Sequence, residues 1–137
     1  MPTGVVAPPA SAQELPSRFK GWVPISGWVG PPKEFQTGAR YREMAEAGLT
    51  ISLHHPSNAI GLGKEAGLKL IVSDPRLWRA RAAATDQECF ALVDAVAAEF
   101  GKDPAVVGFA LRDEPNAADF AALARVSQRL CEQAPGC

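Results

Sequence analysis

The sequence lacks the features that most directly assign a function. Cysteine and histidine are scarce, with three and two of 137 residues, and no Cys-x-x-Cys pair or closely spaced Cys/His set indicates a zinc site. No apolar run is long enough to span a bilayer. The formal net charge is −1, which gives no electrostatic case for nucleic acid or an anionic membrane as a partner. We therefore expect one globular domain that needs no cofactor.

The first residues differ in composition from the rest. Residues 1–16 are rich in proline, alanine and serine and show no periodicity. Ala10-Ser11-Ala12 is similar to the cleavage site of a signal peptide, but no basic segment and no adequate apolar segment precedes it. Two predictions stay open for residues 1–18. They form a disordered leader, which is compatible with a cytoplasmic protein, or the remnant of an export signal of a secreted or periplasmic protein.

From residue 19 onward, strand and helix patterns alternate. Candidate strands lie at residues 19–28, 50–54, 69–73 and 106–111, and a helical pattern follows each of them. Thr37, Thr85 and Asn116 are predicted to cap the first, third and fourth of these helices. Glu46-Ala47-Gly48-Leu49 recurs as Glu65-Ala66-Gly67-Leu68, which predicts a repeated joint in which glycine ends a helix and a strand follows. Four consecutive β/α units predict an α/β fold with a parallel sheet and right-handed crossovers.

The number of units raises a question of architecture. A closed (β/α)8 barrel usually needs about 250 residues, so residues 19–137 fit half of one. The outer strands would then be open apolar edges. A second copy of the chain (a homodimer) or a second half-barrel would close the ring, or the sequence is a fragment of a longer protein. A four-stranded open α/β sheet is the remaining alternative.

The most informative segment is the fourth candidate strand and the residues after it, Val106-Val107-Gly108-Phe109-Ala110-Leu111-Arg112-Asp113-Glu114-Pro115-Asn116. A buried strand ends there in two acids, and the carboxyl ends of barrel strands carry the chemistry of such folds. Alternation places small Gly108 and Ala110 on one face with Glu114, and bulky Val107, Phe109 and Leu111 on the other. Glu114 is therefore predicted to point into the barrel. Alternatively, both acids are solvated groups at a helix N-terminus.

Three segments resemble the N-terminal half of a TIM-barrel glycoside hydrolase. They are Gly21-Trp22 through Trp28-Val29-Gly30-Pro31-Pro32, then residues 40–49, and Asp103 through Asn116. The Asp-Glu-Pro motif is similar to the Asn-Glu-Pro of the large clan of retaining β-glycosidases. The resemblance implies hydrolysis of O-glycosidic bonds in a carbohydrate, with Glu114 as the catalytic acid/base. Asp113 stands where the clan usually has an asparagine that bonds the sugar 2-hydroxyl.

The resemblance also implies that this chain lacks the catalytic nucleophile. In the clan the nucleophile is a second glutamate on the seventh strand, and this sequence has only four candidate strands. A retaining mechanism needs both carboxylates about 5 Å apart, so we expect the chain alone to be inactive. Tryptophans suit sugar stacking, and Trp78 follows the third strand. The predicted sugar-binding residues are Asp113, Trp28, His54, Asp74, Asn116 and Trp22.

Each of these residues also has a structural interpretation. At least one tryptophan belongs to the core, one of His54 and His55 lies in a loop or at the surface, and Asp74 forms a turn and an ion pair with Arg76. Two functional alternatives remain as well. One is a non-catalytic carbohydrate-binding or assembly module. The other is an unrelated barrel enzyme in which Glu114 abstracts a proton, although no phosphate-binding glycine loop or metal triad supports it.

Overall fold

The computed structural model describes Gly21 and residues 23–136, and the predictions for the leader and for Trp22 lie outside them. The described residues form an α/β fold with a three-stranded parallel sheet and five helices. In chain order the elements are α1 (Gly38–Glu46), β1 (Ile51–Pro56), α2 (Ile60–Glu65), β2 (Lys69–Ser73), α3 (Pro75–Ala82), α4 (Asp86–Phe100), β3 (Val106–Phe109) and α5 (Phe120–Gln133). Short 3-10 turns lie at Lys33–Phe35, Ser57–Ala59 and Ala117–Asp119.

Three of the four predicted strands are present in the described residues. The exception is the first, residues 19–28, of which residues 23–28 form no strand. This segment nevertheless lies along the outer edge of β1, where the carbonyl of Ile25 accepts from Thr50 N at 2.8 Å and Ile51 N at 3.1 Å. Pro24 has no N–H to donate, which works against a regular ladder at this edge. The prediction of four complete β/α units is therefore corrected to three strands.

The repeated joint predicted from Glu-Ala-Gly-Leu is confirmed. Gly48 and Gly67 have φ angles of 88° and 76°, in the left-handed region that glycine adopts without penalty. Leu49 N donates to the Met44 carbonyl and Leu68 N to the Gly63 carbonyl, each at 3.1 Å. Both helices thus end in the same Schellman motif, and a strand begins two or three residues after its glycine in each case.

The helices cover one face of the sheet. One core cluster unites Leu70 and Val72 of β2 with residues from α1, α3, α4 and α5, and Ile60 and Leu62 of α2 pack against it. The alternate residues of β2 are only half-buried. In the described part of the chain, no helix covers that second face, which we call the open face.

Strand β3 follows the predicted alternation except at its start. Gly108 pairs with Ile71 and Phe109 with Val72, so Gly108 lies on the open face and Phe109 on the helix side. An irregularity between Val106 and Gly108 places Val106 in the core cluster, while Val107 is buried outside it. The prediction that Val107 shares the helix side with Phe109 and Leu111 was wrong, because a bulge shifts the alternation.

The described residues include no helix that is both long and apolar enough to cross a bilayer. The export prediction rests on residues 1–18, which lie outside the described residues, and it stays a prediction.

Candidate functional site

The carboxyl ends of the three parallel strands lie at one edge of the sheet, and a cleft of about 570 Å³ opens there. We call it the strand-end cleft. It runs from the open face around the unpaired edge of β3 onto α5. It is lined by Trp28, Leu53, His54, Ile71, Phe109, Ala110, Leu111, Arg112, Asp113, Leu123, Ala124 and Ser127.

A smaller cavity of about 360 Å³ lies next to the cleft and shares His54 and residues 110–113 with it. Its remaining lining residues are Trp78 and Arg81 of α3, and we call it the tryptophan–arginine pocket. Trp28 and Trp78 are 67% and 52% exposed. Each cavity thus presents one exposed indole, and His54 and Asp113 border both.

The two histidines at the end of β1 point to different environments, as the alternation predicts. Ser52 pairs with Leu70 and His55 with Val72, so β1 has one extra residue between them. His54 lies in this bulge with a φ of 51°. Because of the bulge, half-buried His54 lines the cleft and His55 lies on the helix side of the sheet.

His55 is a core residue, so the prediction that the histidine outside the sugar site lies in a loop or at the surface was wrong. It is fully buried, its Nδ1 lies 2.9 Å from Ser52 Oγ, and its Nε2 lies 2.9 Å from the Ala59 carbonyl. Because a carbonyl only accepts, Nε2 carries the hydrogen and Nδ1 accepts from the serine hydroxyl. Burial lowers the pKa of His55, and the hydrogen bond to Ala59 opposes that effect in part. Both ring nitrogens are thus engaged in the neutral form, which leaves no group for a ligand.

Asp74 holds the N-terminus of α3. Its carboxylate accepts from Arg76 N at 2.8 Å, and from Arg76 Nε and Nη2 at 2.9 and 2.8 Å. The Arg76 guanidinium is the main cause that lowers the pKa of Asp74, which is 2% exposed, to about 2. The predicted Asp74–Arg76 ion pair is confirmed. Asp74 does not line the cleft, so its assignment to sugar binding stays a prediction without geometric support.

The acids of the Asp-Glu-Pro motif occupy different positions. Both are exposed, but Asp113 lines the two cavities and Glu114 lines neither. Glu114 has a φ of 45°, so the backbone turns left-handed at this residue. Extended alternation ends before it, which removes the basis for an inward-pointing Glu114. His54 and Glu114 are the non-glycine residues with positive φ in the described chain, and such strain is concentrated at functional sites.

Asn116 is the N-cap of the 3-10 turn that leads into α5. Its side chain accepts from Ala118 N at 2.9 Å, and Asp119 Oδ2 accepts from Asn116 N at 3.2 Å, which completes a capping box. The predicted helix cap at Asn116 is confirmed, and its predicted sugar contact stays a prediction. Among the described residues, no group of three or more His, Cys, Asp or Glu side chains is placed to hold a metal ion.

The sequence predictions for the site included neither Arg112 nor Arg81. Arg112 follows β3 and lines both cavities. Arg81 lines the tryptophan–arginine pocket because α3 begins directly after β2, with Pro75 at its first position. Proline is favoured at that position of a helix, and this was the signal that could have placed Trp78 and Arg81 on a helix beside the strand ends. Comparison of the chain with models of known protein families, with curated proteins and with solved structures finds no match.

Proposed function

We propose that this chain forms the first half of a (β/α)8 domain of the glycoside hydrolase type. In this proposal the strand-end cleft binds carbohydrate, and Glu114 acts as the acid/base when a second half supplies the nucleophile. That second half comes from another polypeptide or from a longer form of this one. The free chain hydrolyses no glycosidic bond.

The observation that carries the proposal is the position of the cleft. The cleft at the carboxyl ends of the parallel strands is lined by Trp28, His54 and Asp113. This is the end at which (β/α)8 enzymes hold their substrates. An exposed indole offers a stacking surface for a sugar ring. A carboxylate and an imidazole beside it supply hydrogen-bond partners for hydroxyl groups. This combination suits a neutral polyhydroxylated ligand.

The winding of the sheet supports the half-barrel. The strand order is β1-β2-β3, so each strand is added beside its predecessor in the chain. All five helices contribute to one core on one face. A doubly wound sheet would carry helices on both faces, whereas a barrel carries them outside and leaves the inner face to side chains of the strands. Small Gly108 and half-buried Ile71 occupy the corresponding open face.

The unpaired edge of β3 fits the same proposal. Phe109 and Leu111 lie beside Leu123 and Ser127 of α5 around this edge. In a closed barrel the helix that follows a strand packs between that strand and the next one. A fifth strand would therefore fill this part of the cleft and leave the part bordered by Trp28, His54 and Asp113 open to a ligand.

The proposed reaction needs groups on both halves. Glu114 would donate a proton to the leaving oxygen while a carboxylate of the second half attacks the anomeric carbon. Glu114 would then take a proton from the water that releases the sugar. Asp113 would bond a sugar hydroxyl. Because Glu114 is exposed in the chain as it stands, a second half would also have to shield it from water for the first step.

The second candidate function is a carbohydrate-binding module without catalysis. It is favoured by one observation. Within the described chain, Asp113 is the one carboxylate that lines either cavity. Neither cavity therefore holds the pair of carboxylates that hydrolysis needs. The two candidates share the ligand and differ in whether Glu114 acts on it.

An activity assay with a second half separates them. The purified chain is expected to give no turnover of aryl glycosides. The open reading frame that follows in the genome, expressed with this chain as one polypeptide or as a pair, is expected to restore turnover. Glu114→Gln should then lower kcat by about 10²- to 10⁴-fold, the usual contribution of a general acid or base.

Glu65→Gln is the matched control, because Glu65 is also exposed and lies at the end of α2. It should retain full activity. Robust turnover by the 137-residue chain alone would contradict the need for a second half. An active pair in which Glu114→Gln has no effect would contradict the proposed role of Glu114.

A further inference from the structure

The tryptophan–arginine pocket carries more hydrogen-bond donors than a neutral sugar requires. Arg81 Nη1 donates to Asp119 Oδ1 at 2.5 Å, and Arg81 Nε is buried without a hydrogen-bond partner among the described residues. Arg112 Nε lies 3.9 Å from Asp119 Oδ2, which is an ion pair but too long for a hydrogen bond. The Asp119 carboxylate thus lies near two guanidinium groups but accepts a hydrogen bond from only one of them, through Arg81 Nη1.

The acceptors at this place are already committed or exposed to water. Asp119 Oδ2 also accepts from Asn116 N at 3.2 Å. Asp113 is exposed and forms no ion pair within 4.0 Å in the described chain. The Arg112 side chain lines the pocket and is 43% exposed. A planar anion that only accepts hydrogen bonds matches the fork of a guanidinium in two parallel bonds.

The same pocket is also lined by an indole. Trp78 lies on α3 and is 52% exposed beside the guanidinium groups. The pocket shares His54, Arg112 and Asp113 with the strand-end cleft. A chain of at least two sugar rings could therefore contact Trp28 with one ring and Trp78 with another.

We infer that the tryptophan–arginine pocket binds an acidic sugar, with a uronate carboxylate held by Arg112 and Arg81 and its ring stacked on Trp78. The inference rests on the proposed carbohydrate function and names its substrate class. The ligand is an oligosaccharide in which a uronate ring lies next to the ring in the strand-end cleft.

The test is isothermal titration calorimetry of the intact chain with galacturonate and mannuronate tetrasaccharides, their methyl esters, and the neutral tetrasaccharides of glucose and xylose. Esterification removes the charge and keeps the ring, so each acid has a matched neutral probe. One acid is expected to bind about tenfold more tightly than its ester, a typical effect of one charge-assisted hydrogen-bonded pair. Added salt should reduce that difference.

Arg112→Gln should abolish the preference for the acid, because glutamine keeps a polar side chain without the charge. Arg79→Gln is the control, since Arg79 is exposed on α3, the helix of Trp78 and Arg81, but lines neither cavity. It should keep the preference. Trp78→Ala should weaken both the acid and its ester, because stacking does not depend on the charge.

Equal affinity for the acid and its ester, or a preference that survives Arg112→Gln, would overturn the inference. Failure of both acids to bind would overturn it as well. The neutral tetrasaccharides then report on the proposed function separately. Their binding keeps that function and removes only the acidic substrate, whereas the absence of all binding removes both.

Discussion

At the scale of single residues, Gly63 is required by packing rather than by backbone conformation. A Cβ at this position would lie 2.6 Å from Leu70 Cδ2 and 2.8 Å from His55 Cε1, and both neighbours are fully buried. Gly63→Ala should therefore lower the free energy of unfolding by about 1–3 kcal/mol, as expected for overpacking. Urea denaturation followed by circular dichroism measures the change.

Gly61→Ala is the control for that substitution, because Gly61 lies in the same helix and a Cβ there meets nothing within 4 Å. Alanine is the better helix former, so this variant should gain up to about 1 kcal/mol. Equal effects of the two alanines would show that helix propensity, and not contact with His55 and Leu70, sets the outcome at Gly63.

The adjacent residues His54 and His55 show how one inserted residue divides structural from functional side chains. Without the bulge between Ser52 and His55, the pairing of β1 with β2 would continue in register past Ser52. His54 rather than His55 would then lie on the helix side with Val72. The sequence predicts that the two rings point apart. It does not predict which one is buried, because that depends on the register with β2.

At the scale of elements, α3 depends on Asp74 both as a cap and as an ion-pair partner. In the folded chain the pKa of Asp74 is lowered from 3.8 to about 2. The corresponding stability is fully present above pH 3.8 and is lost as the pH falls through about 2. The shift corresponds to about 2 kcal/mol at neutral pH.

Asp74→Asn keeps an oxygen that can cap the helix but removes the charge. At pH 7 it should unfold about 2 kcal/mol more easily than the wild type, and this gap should close as the pH approaches 2. Asp74→Ala loses the cap as well and should cost about 1 kcal/mol more at every pH. Urea unfolding at pH 7, 5, 3 and 2 provides the comparison. A gap between wild type and Asp74→Asn that does not change with pH would contradict the role of the ion pair.

The elements also show what the sequence could and could not predict. Strand β2 was predicted with its observed bounds, and the caps at Thr37, Thr85 and Asn116 are confirmed. These features depend on local chemistry, which a sequence displays directly. Helix α3 was missed because Asp74-Pro75-Arg76 was interpreted as a turn, although a proline after an N-cap residue also begins a helix.

The features that the sequence could not predict are the non-local ones. The bulges in β1 and β3 arise where neighbouring strands fall out of register. The one in β1 decides which histidine is buried, and the one in β3 decides whether Val106 or Val107 joins the core cluster. The irregular path of the segment with Pro24 and Ile25 along β1 likewise depends on which hydrogen bonds the neighbouring edge offers. The composition of the cavity walls follows in part from these events, so Arg112 could not be assigned to the site from its own sequence context. For Arg81, the proline at the start of α3 was a usable signal.

At the scale of the whole molecule, the sheet has one face covered by helices and one open face. The helices bury one face, and the strand-end cleft and the tryptophan–arginine pocket lie at the carboxyl ends of the strands. A second large groove, of about 580 Å³, lies elsewhere, between the segment around Pro31 and α1. It is lined mainly by apolar residues such as Phe35 and Met44, so it provides an internal comparison for the claim that carbohydrate binds at the strand ends.

The most direct measurement of that claim is a two-dimensional NMR titration of the 15N-labelled chain with the same tetrasaccharide panel. If carbohydrate binds at the strand ends, chemical-shift changes are expected at the indole of Trp28 and at the amides of His54 and residues 110–113. The amides of Met44 and Ala47 in the comparison groove should stay unchanged. Changes confined to that groove, or none with any tetrasaccharide, would contradict the account.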